Sequence, residues 1–223
     1  MSVHQLGEFG DFTLTVVVTS PPWYENAYIV RHRPSGEMLV VDPGGDADRI
    51  LAAVAAEADK SETGKVVAIW LTHGHPDHLG AARALELALD VDTIAHRDEL
   101  PVIARAGELA RSFTGESQDG PARVQAFEGE PTLSLGGAPV RVVHTPGHTP
   151  GGVCYDFGGF ALTGDTLFRQ GVGRTDLPGG SEEKLWNSIP RFLGQTDDAT
   201  MLFSGHGPQW TAGDARRWWR MMG

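Results

Sequence analysis

One segment of six residues, His73 to His78, contains three histidines and an aspartate in the order H-x-H-x-D-H. An apolar run, "KVVAIWL", precedes it and predicts a buried strand, and "LGAARALELAL" behind it predicts a helix. In an extended segment, residues two apart share a face, so we expect His73, His75 and Asp77 to converge while His78 points elsewhere. Pro76 favours extended backbone at the residue before it. This spacing predicts a metal site at the end of a strand.

Three more potential ligands occur later in the chain, each beside glycine and after an apolar run. They are His148 in "HTPGHTPGG", Asp165 in "ALTGDTLF" and His206 in "LFSGHGP". The first segment alone cannot complete two coordination spheres, so we expect these residues to join it. The remaining histidines are predicted to be structural or exposed: His4, His32, His96 and His144.

Strand and helix patterns alternate along the chain and predict an α/β fold, with two sheets face to face and helices outside. Strand patterns occur in "FTLTVVVTS", "NAYIVRH", "MLVVDPG", "PVRVVHT", "GGVCYDFG", "GFALTGD" and "ATMLFSG", with a short one near "DTIAH". Helices are predicted at 46–58 and 97–113, in "EEKLWNSIPRFL" and in the tryptophan-rich last segment, with a loop at 114–121. No linker pattern interrupts the chain, so we expect a single domain over residues 1–223.

Charge and cysteine content exclude several classes of protein. The formal net charge of −11 argues against a nucleic-acid partner, because phosphate binding needs clustered Lys and Arg. Apolar stretches are far shorter than the roughly 20 residues of a membrane span, and we expect no secretory signal. Cys154 is the only cysteine, which excludes an internal disulfide and favours a cytoplasmic location. Its strand pattern predicts a core residue rather than a nucleophile.

Five motifs, in this order, resemble those of the metallo-β-lactamase superfamily. They are "VDPGG" at 41–45, "THGHPDH" at 72–78, "TPGHTPG" at 145–151, "TGDTLF" at 163–168 and "SGHG" at 204–207. The resemblance covers nearly the whole chain. It implies a four-layer αββα sandwich with the site at the sheet edges.

The same resemblance implies a role for each ligand residue. A first metal ion would be held by His73, His75 and His148. A second would be held by Asp77, His78 and His206, with Asp165 bridging the two. Asp42, in "VDPGG", matches a position that orients a ligand histidine, although a turn residue before Pro43 is nearly as good an interpretation.

Within the superfamily, "GDTLFRQGVGRTDLPGG" looks like the glyoxalase II group, especially its short bacterial members. Persulfide dioxygenases share a closely similar segment. Arg174 and Asp176 of this stretch are predicted to form an ion pair, which either shapes the rim of the site or stabilises the loop.

Imidazole and carboxylate ligands suit zinc, iron or manganese, and we expect two divalent ions, with zinc favoured. A water between two such ions loses a proton near neutral pH and can attack a carbonyl carbon. Asp77 is the expected catalytic residue, because its carboxylate can both ligate a metal and orient this nucleophile. The leading hypothesis is a dinuclear hydrolase of a small-molecule thioester such as S-lactoylglutathione, since a thiolate leaves without much acid help.

Three alternatives stay open. A mononuclear iron persulfide dioxygenase would use His73, His148 and Asp165, leaving coordination positions for oxygen and substrate. A hydrolase of another ester or lactone, or a metal-stabilised binding protein without turnover, would also fit. Full-length glyoxalase II enzymes carry a C-terminal helical domain that binds glutathione, which puts glutathione recognition in question here. The last arginines are expected to be solvated rather than to replace that domain: Arg216, Arg217 and Arg220. The sequence leaves the oligomeric state open.

Overall fold

The computed structural model describes residues 3–222, in which two β-sheets lie face to face between two layers of helices. The strands of the first sheet are β1 (Val3–Phe9), β2 (Phe12–Val18), β3 (Asn26–His32), β4 (Glu37–Val41), β5 (Lys65–Trp70), β6 (Thr93–His96) and β7 (Val124–Phe127). They are hydrogen-bonded in chain order. Neighbours from β1 to β4 are antiparallel, and neighbours from β4 to β7 are parallel.

The second sheet is built from the later part of the chain. Its strands are β8 (Thr132–Leu135), β9 (Ala138–His144), β10 (Val153–Asp156), β11 (Phe160–Gly164), β14 (Met201–Ser204) and β15 (Trp210–Thr211), in the spatial order β15-β14-β11-β10-β9-β8. Only the β11–β14 pairing is parallel among these described strands. A small separate hairpin joins β12 (Leu167–Phe168) to β13 (Gly171–Val172).

The helices cover the outer faces of both sheets. They are α1 (Ala47–Ala58), α2 (Pro76–Leu79), α3 (Ala82–Leu89), α4 (Leu100–Ala104), α5 (Ala106–Thr114), α6 (Glu182–Gly194) and α7 (Ala212–Met222). Within residues 3–222, no helix combines the length and apolar character that crossing a membrane requires.

Alternation along the strands explains why four layers form. On β4, Leu39 packs in the cluster between the two sheets, and its neighbour Met38 packs in the cluster under α1 and α3. On β10, Tyr155 enters the core between the sheets, and Cys154 packs against α6 and α7. Successive side chains of a strand point to opposite faces, so each sheet buries apolar side chains on both sides. The predicted αββα sandwich is confirmed.

Several elements differ from the sequence prediction. The helix predicted over 97–113 is divided into a 3-10 turn, Arg97–Glu99, followed by α4 and α5. Pro101 lies in the first turn of α4, where its missing N–H costs no helical hydrogen bond. Strands β1, β7 and β8 and the two-residue strands β12, β13 and β15 were not predicted. The single domain over 1–223 stays a prediction, and residues 1, 2 and 223 lie outside the described residues.

The loops that follow β5, β9, β11 and β14 meet at one edge of the sandwich. Backbone hydrogen bonds join them: Val153 N donates to Thr72 O at 2.9 Å, and Gly205 N donates to Gly164 O at 2.9 Å. Asn26 N donates to the carbonyl of Gly205 at 2.8 Å, which ties β3 to the same place. The predicted ligands on these loops are thereby held on one rigid framework.

Candidate metal centre

The histidine-rich segment changes conformation in its middle. His75 is extended, with φ −73° and ψ 151°, and α2 starts at Pro76. Pro76 is well suited to the first position of a helix, because its φ is already helical and it needs no hydrogen-bond acceptor. Asp77 therefore lies in a helical turn. The prediction that Asp77 shares an extended face with His73 and His75 is wrong.

Three histidines form a first donor group. Nitrogen atoms of His73, His75 and His148 lie within 4.8 Å of one another. His75 Nδ1 lies 2.9 Å from His148 Nε2, and all three side chains are buried. His148 Nδ1 donates to the carbonyl of Arg174 at 2.7 Å, which leaves the Nε2 lone pair directed at the group.

Four side chains form a second donor group, with ligand atoms again within 4.8 Å of one another: Asp77, His78, Asp165 and His206. The Nε2 of His206 lies 3.1 Å from Asp77 Oδ2, and the Nε2 of His78 lies 3.3 Å from Asp165 Oδ1. The second oxygen of Asp165, Oδ2, lies 3.7 Å from His148 Nε2 in the first group. Asp165 thus stands between the two groups.

Some buried polar atoms of these groups have no hydrogen-bond partner among residues 3–222. They are His73 Nε2, His78 Nε2 and Asp165 Oδ1. An orphaned buried polar atom is costly, so its retention calls for a partner such as an ion. Imidazole nitrogen and carboxylate oxygen are common ligands of zinc and other divalent transition metals. The residues present therefore fit two metal ions.

Electrostatics differ between the two groups. Burial, followed by the neighbouring histidines, lowers the pKa of His73 well below its usual value and that of His75 to about 3. Burial also lowers the pKa of His148. Neutral imidazole is the form that ligates metals, so the three histidines of the first group can bind a cation at neutral pH without first losing a proton.

The second group is more strongly charged. Burial opposes protonation of His78, but the carboxylates of Asp165, Asp77 and Asp42 raise its pKa well above the usual value. Burial likewise opposes ionisation of Asp165, but His78, His148 and His206 hold its pKa well below the usual range. Carboxylates that stay ionised when buried are suited to binding cations.

Asp42 lies behind the second group. Its Oδ2 lies 3.0 Å from His78 Nδ1, and the two carboxylate oxygens accept from the backbone N–H and the hydroxyl of Thr72, at 2.7 and 2.6 Å. This contact fixes the ring of His78 with Nε2 facing Asp165. Asp42 adopts φ 51°, a left-handed conformation that Asp tolerates better than most residues. The geometry agrees with an orienting role as well as with a turn.

Glu99 was not predicted, although it links the two loops of the first group. Its Oε2 accepts from Gly74 N and its Oε1 from Gly151 N, both at 2.7 Å, and the side chain is fully buried. Gly74 lies between His73 and His75, so one carboxylate holds both histidine-bearing loops. No local pattern around "HRDEL" distinguishes this glutamate, because its partners are distant in sequence.

Gly205 allows the backbone after β14 to lie close to two ligands of the second group. A side chain added at Gly205 would clash with the ring of His78 and with Asp165 Oδ1. The glycine of "SGHG" is therefore needed for the close approach of the β14 loop to these two ligands.

Arg174 and Asp176 form the predicted ion pair, with Nε–Oδ1 and Nη2–Oδ2 distances of 2.7 Å. Both side chains are exposed. Arg174 touches the site through its backbone carbonyl, which accepts from His148. The pair therefore stabilises the loop whose backbone positions a ligand.

The C-terminal arginines interact mainly within their own region of the chain. Arg216 donates to the carbonyls of Leu193 and Thr196 and pairs with Asp198, and Arg217 pairs with Asp214. Arg220 is exposed. Arg216 fastens α7 to the end of α6 rather than being merely solvated.

The other histidines lie outside both donor groups. His4 is exposed, and His32 is buried with its Nδ1 2.9 Å from Ser35 Oγ. His96 and His144 stack with ring centroids 4.2 Å apart and 14° between their planes, near Asp98. Nitrogen lone pairs lie in the ring plane, so nearly parallel stacked rings do not converge on one ion.

Comparison with known proteins decides the family. A family model described as the metallo-beta-lactamase superfamily matches residues 20–206. The chain belongs to the metallo-beta-lactamase superfamily. It is a metallohydrolase of this superfamily, whose His and Asp side chains form the metal-binding cluster described above.

Individual members of the superfamily are similar over most of their length. "Hydroxyacylglutathione hydrolase GloC" of Haemophilus influenzae is 36% identical over 188 residues, covering 80% of this chain and 84% of that protein. The crystal structure of BLEG-1 B3 metallo-beta-lactamase has a TM-score of 0.79 at 30% identity, covering 92% and 96% of the two chains. TTHA1623, solved in a di-iron-bound form, has a TM-score of 0.76 at 34% identity, covering 91% and 96%.

Proposed function

We propose that this protein is a dinuclear metal-dependent thioester hydrolase. The observation that carries the proposal is the position of Asp165 between a three-histidine group and a group formed by Asp77, His78 and His206. A mononuclear dioxygenase site needs two histidines and one carboxylate, and it gives no reason for the second group. The similarity to a protein named hydroxyacylglutathione hydrolase supports thioester chemistry.

Two bound divalent ions would supply an activated water at neutral pH and charge stabilisation for the oxyanion of the acyl carbon. We propose zinc as the ion, with iron and manganese as the alternatives that the ligand types also suit. The di-iron-bound form of TTHA1623 supports iron. The residues that would hold the first ion are His73, His75 and His148. Those that would hold the second are Asp77, His78 and His206, with Asp165 shared.

Asp77 is the proposed catalytic residue. Burial opposes ionisation of its carboxylate, but His78 and the hydrogen bond with His206 keep the pKa below its usual value. The ionised carboxylate lies at the partly exposed side of the second group. It can therefore accept a hydrogen bond from an attacking water and orient that water. A thiolate leaving group requires no further acid.

Localisation and partners belong to the same proposal. The sole cysteine, Cys154, is buried in the core and unpaired, which suits a reducing cytoplasm. We propose a small-molecule thioester as the substrate and no nucleic acid, in keeping with the net charge of −11.

The test is thiol release from S-lactoylglutathione by protein loaded with zinc, iron(II) or manganese. We expect thiol release with about two ions per chain, and a fall of roughly 100-fold or more in kcat for Asp77→Asn. Asp59→Asn, at an exposed aspartate, is the matched control. Oxygen uptake with glutathione persulfide by protein holding one iron per chain would overturn the proposal.

A further inference from the structure

A cavity of about 280 Å³ adjoins the first donor group. Its lining includes His75, which is also a member of that group. The remaining wall is formed by α4, α5 and the loops that contain Pro150 and Pro178. Any molecule in the cavity is therefore next to a residue of the proposed reaction centre.

The walls of the cavity are mostly apolar. Pro101, Val102, Leu109, Pro150 and Pro178 contribute hydrocarbon surface. Binding sites for small molecules generally combine such walls with a few polar groups that fix orientation. The composition indicates a ligand part that is itself apolar.

Arg105, the cationic side chain among the residues that line this cavity, forms an ion pair with Glu108. Arg105 Nε lies 3.1 Å from Glu108 Oε2, and both side chains line the cavity. The exposed pair carries no net charge, so it gives a carboxylate no unpaired partner. A thiol carrier such as glutathione has two carboxylates, which makes it a poor occupant of this cavity.

Helices α4 and α5 are held firmly against the metal-binding loop. Ile103 and Ala106 are buried in the core of the first sheet, while Val102 and Leu109 on the same helices reach the cavity. A side chain added at Gly74, between His73 and His75, would clash with Ile103, whose Cγ1 would lie 2.8 Å from the added Cβ. This close packing fixes the distance between the cavity and the first donor group.

We propose that the cavity binds the acyl chain of the thioester, and that the enzyme prefers linear apolar acyl groups of medium length. This inference rests on the proposed function and adds the substrate class to it. A volume of about 280 Å³ holds on the order of ten non-hydrogen atoms, taking roughly 30 Å³ for each. Burial of each methylene group should raise kcat/KM about fourfold at most.

The experiment compares N-acetylcysteamine thioesters from acetyl to decanoyl, so that the thiol stays constant. Thiol release by the metal-loaded protein should show kcat/KM rising two- to fourfold per methylene to about eight carbons, then levelling off. Hydrolysis with no dependence on chain length, or with a preference for acetyl, would overturn the inference and leave thioester hydrolysis intact. Release of no thiol from any of these thioesters or from S-lactoylglutathione would overturn both.

Variants in the cavity wall separate the acyl chain from the thiol. Leu109→Trp should lower kcat/KM for octanoyl at least tenfold and change that for acetyl by less than twofold. Leu109→Ala, whose smaller side chain enlarges the cavity, should move the acyl length with the highest kcat/KM to longer chains. This variant provides the test if the tryptophan variant does not fold. Leu87→Trp on α3, where Leu87 is 80% exposed, is the control. Equal fold-changes in kcat/KM for the acetyl and octanoyl thioesters would contradict the assignment. So would a change in kcat/KM that depends on the thiol when the acyl group is kept as acetyl.

Discussion

His78 Nδ1 lies 3.0 Å from Asp42 Oδ2, and the same oxygen accepts the hydroxyl proton of Thr72 at 2.6 Å. Asp42 thereby links the end of β5 to a candidate ligand on α2. Partners of this kind fix the orientation and basicity of a ligand histidine, and their loss weakens metal affinity by about 10- to 100-fold.

Asp42→Asn should therefore weaken binding of the second metal equivalent by about 10- to 100-fold. Asparagine also tolerates a left-handed backbone, so the turn is preserved. Titration of the metal-free protein with Zn²⁺ by calorimetry measures the effect, with Asp59→Asn as the control. Unchanged affinity for both equivalents would show that the contact between Asp42 and His78 is only structural.

Glu99→Ala should destabilise the protein by about 1–3 kcal/mol, because it leaves the buried N–H groups of Gly74 and Gly151 without their acceptor. The first donor group should also bind metal more weakly, since both histidine-bearing loops lose their link. Urea unfolding and metal titration measure the two effects. Glu116→Ala, at an exposed glutamate, is the control, and equal stability of the two variants would refute the linking role.

Glu57 should contribute to the pH dependence of stability. Burial opposes its ionisation, but Lys60, Thr15 and Arg31 hold its pKa below the usual value. A lowered pKa gives stabilisation that is present above the unfolded value of about 4.3 and is lost as pH falls through the folded value. Glu57→Gln should cost about 1–3 kcal/mol at pH 7.

The measurement for Glu57 is the free energy of unfolding between pH 7 and pH 3. The difference between Glu57→Gln and the natural protein should shrink as the pH falls below about 4.3. For Glu62→Gln, at an exposed position, the difference in unfolding free energy from the natural protein should stay constant over the same pH range. A constant difference for Glu57→Gln would mean that packing, not charge, explains its effect.

Cys154 should be dispensable for catalysis. Burial raises the pKa of its thiol to about 12, and the side chain packs against α6 and α7. Cys154→Ala should keep kcat within about twofold and lose roughly 1 kcal/mol of stability through the smaller side chain. The folded natural protein should also resist thiol reagents. Loss of activity in a folded, metal-loaded Cys154→Ala variant would contradict this assignment.

The sequence patterns predicted the two packed sheets with helices outside. On strands such as β4 and β10, successive apolar side chains point to opposite faces of the sheet, so both faces must be covered. The H-x-H-x-D-H spacing, and the glycines beside His148, Asp165 and His206, pointed to the side chains that the structure brings together in the two donor groups. The conformation of Asp77 was missed: Pro76 restricts His75 to extended backbone and at the same time starts a helix. Glu99 was missed because its partners, Gly74 and Gly151, are brought to it only by the packing of two loops.

Unpredicted strands have a similar explanation. β1, β7 and β8 are short or largely exposed, so their apolar alternation is weak, and pairing with β2, β6 and β9 stabilises them. Likewise, the cavity beside His75 is formed by α4, α5 and two distant proline loops. Such long-range contacts leave little trace in a local pattern.

Metal stoichiometry in the natural protein and in two variants is the most direct test of the shared ligand. Because Asp165 lies between both groups, the natural protein should bind about two divalent ions per chain, and Asp165→Ala should lose both. His206→Ala, which changes only the second group, should keep about one. Elemental analysis of the purified, folded proteins decides the matter: two ions retained in Asp165→Ala, or one ion in the natural protein after loading, would contradict the account.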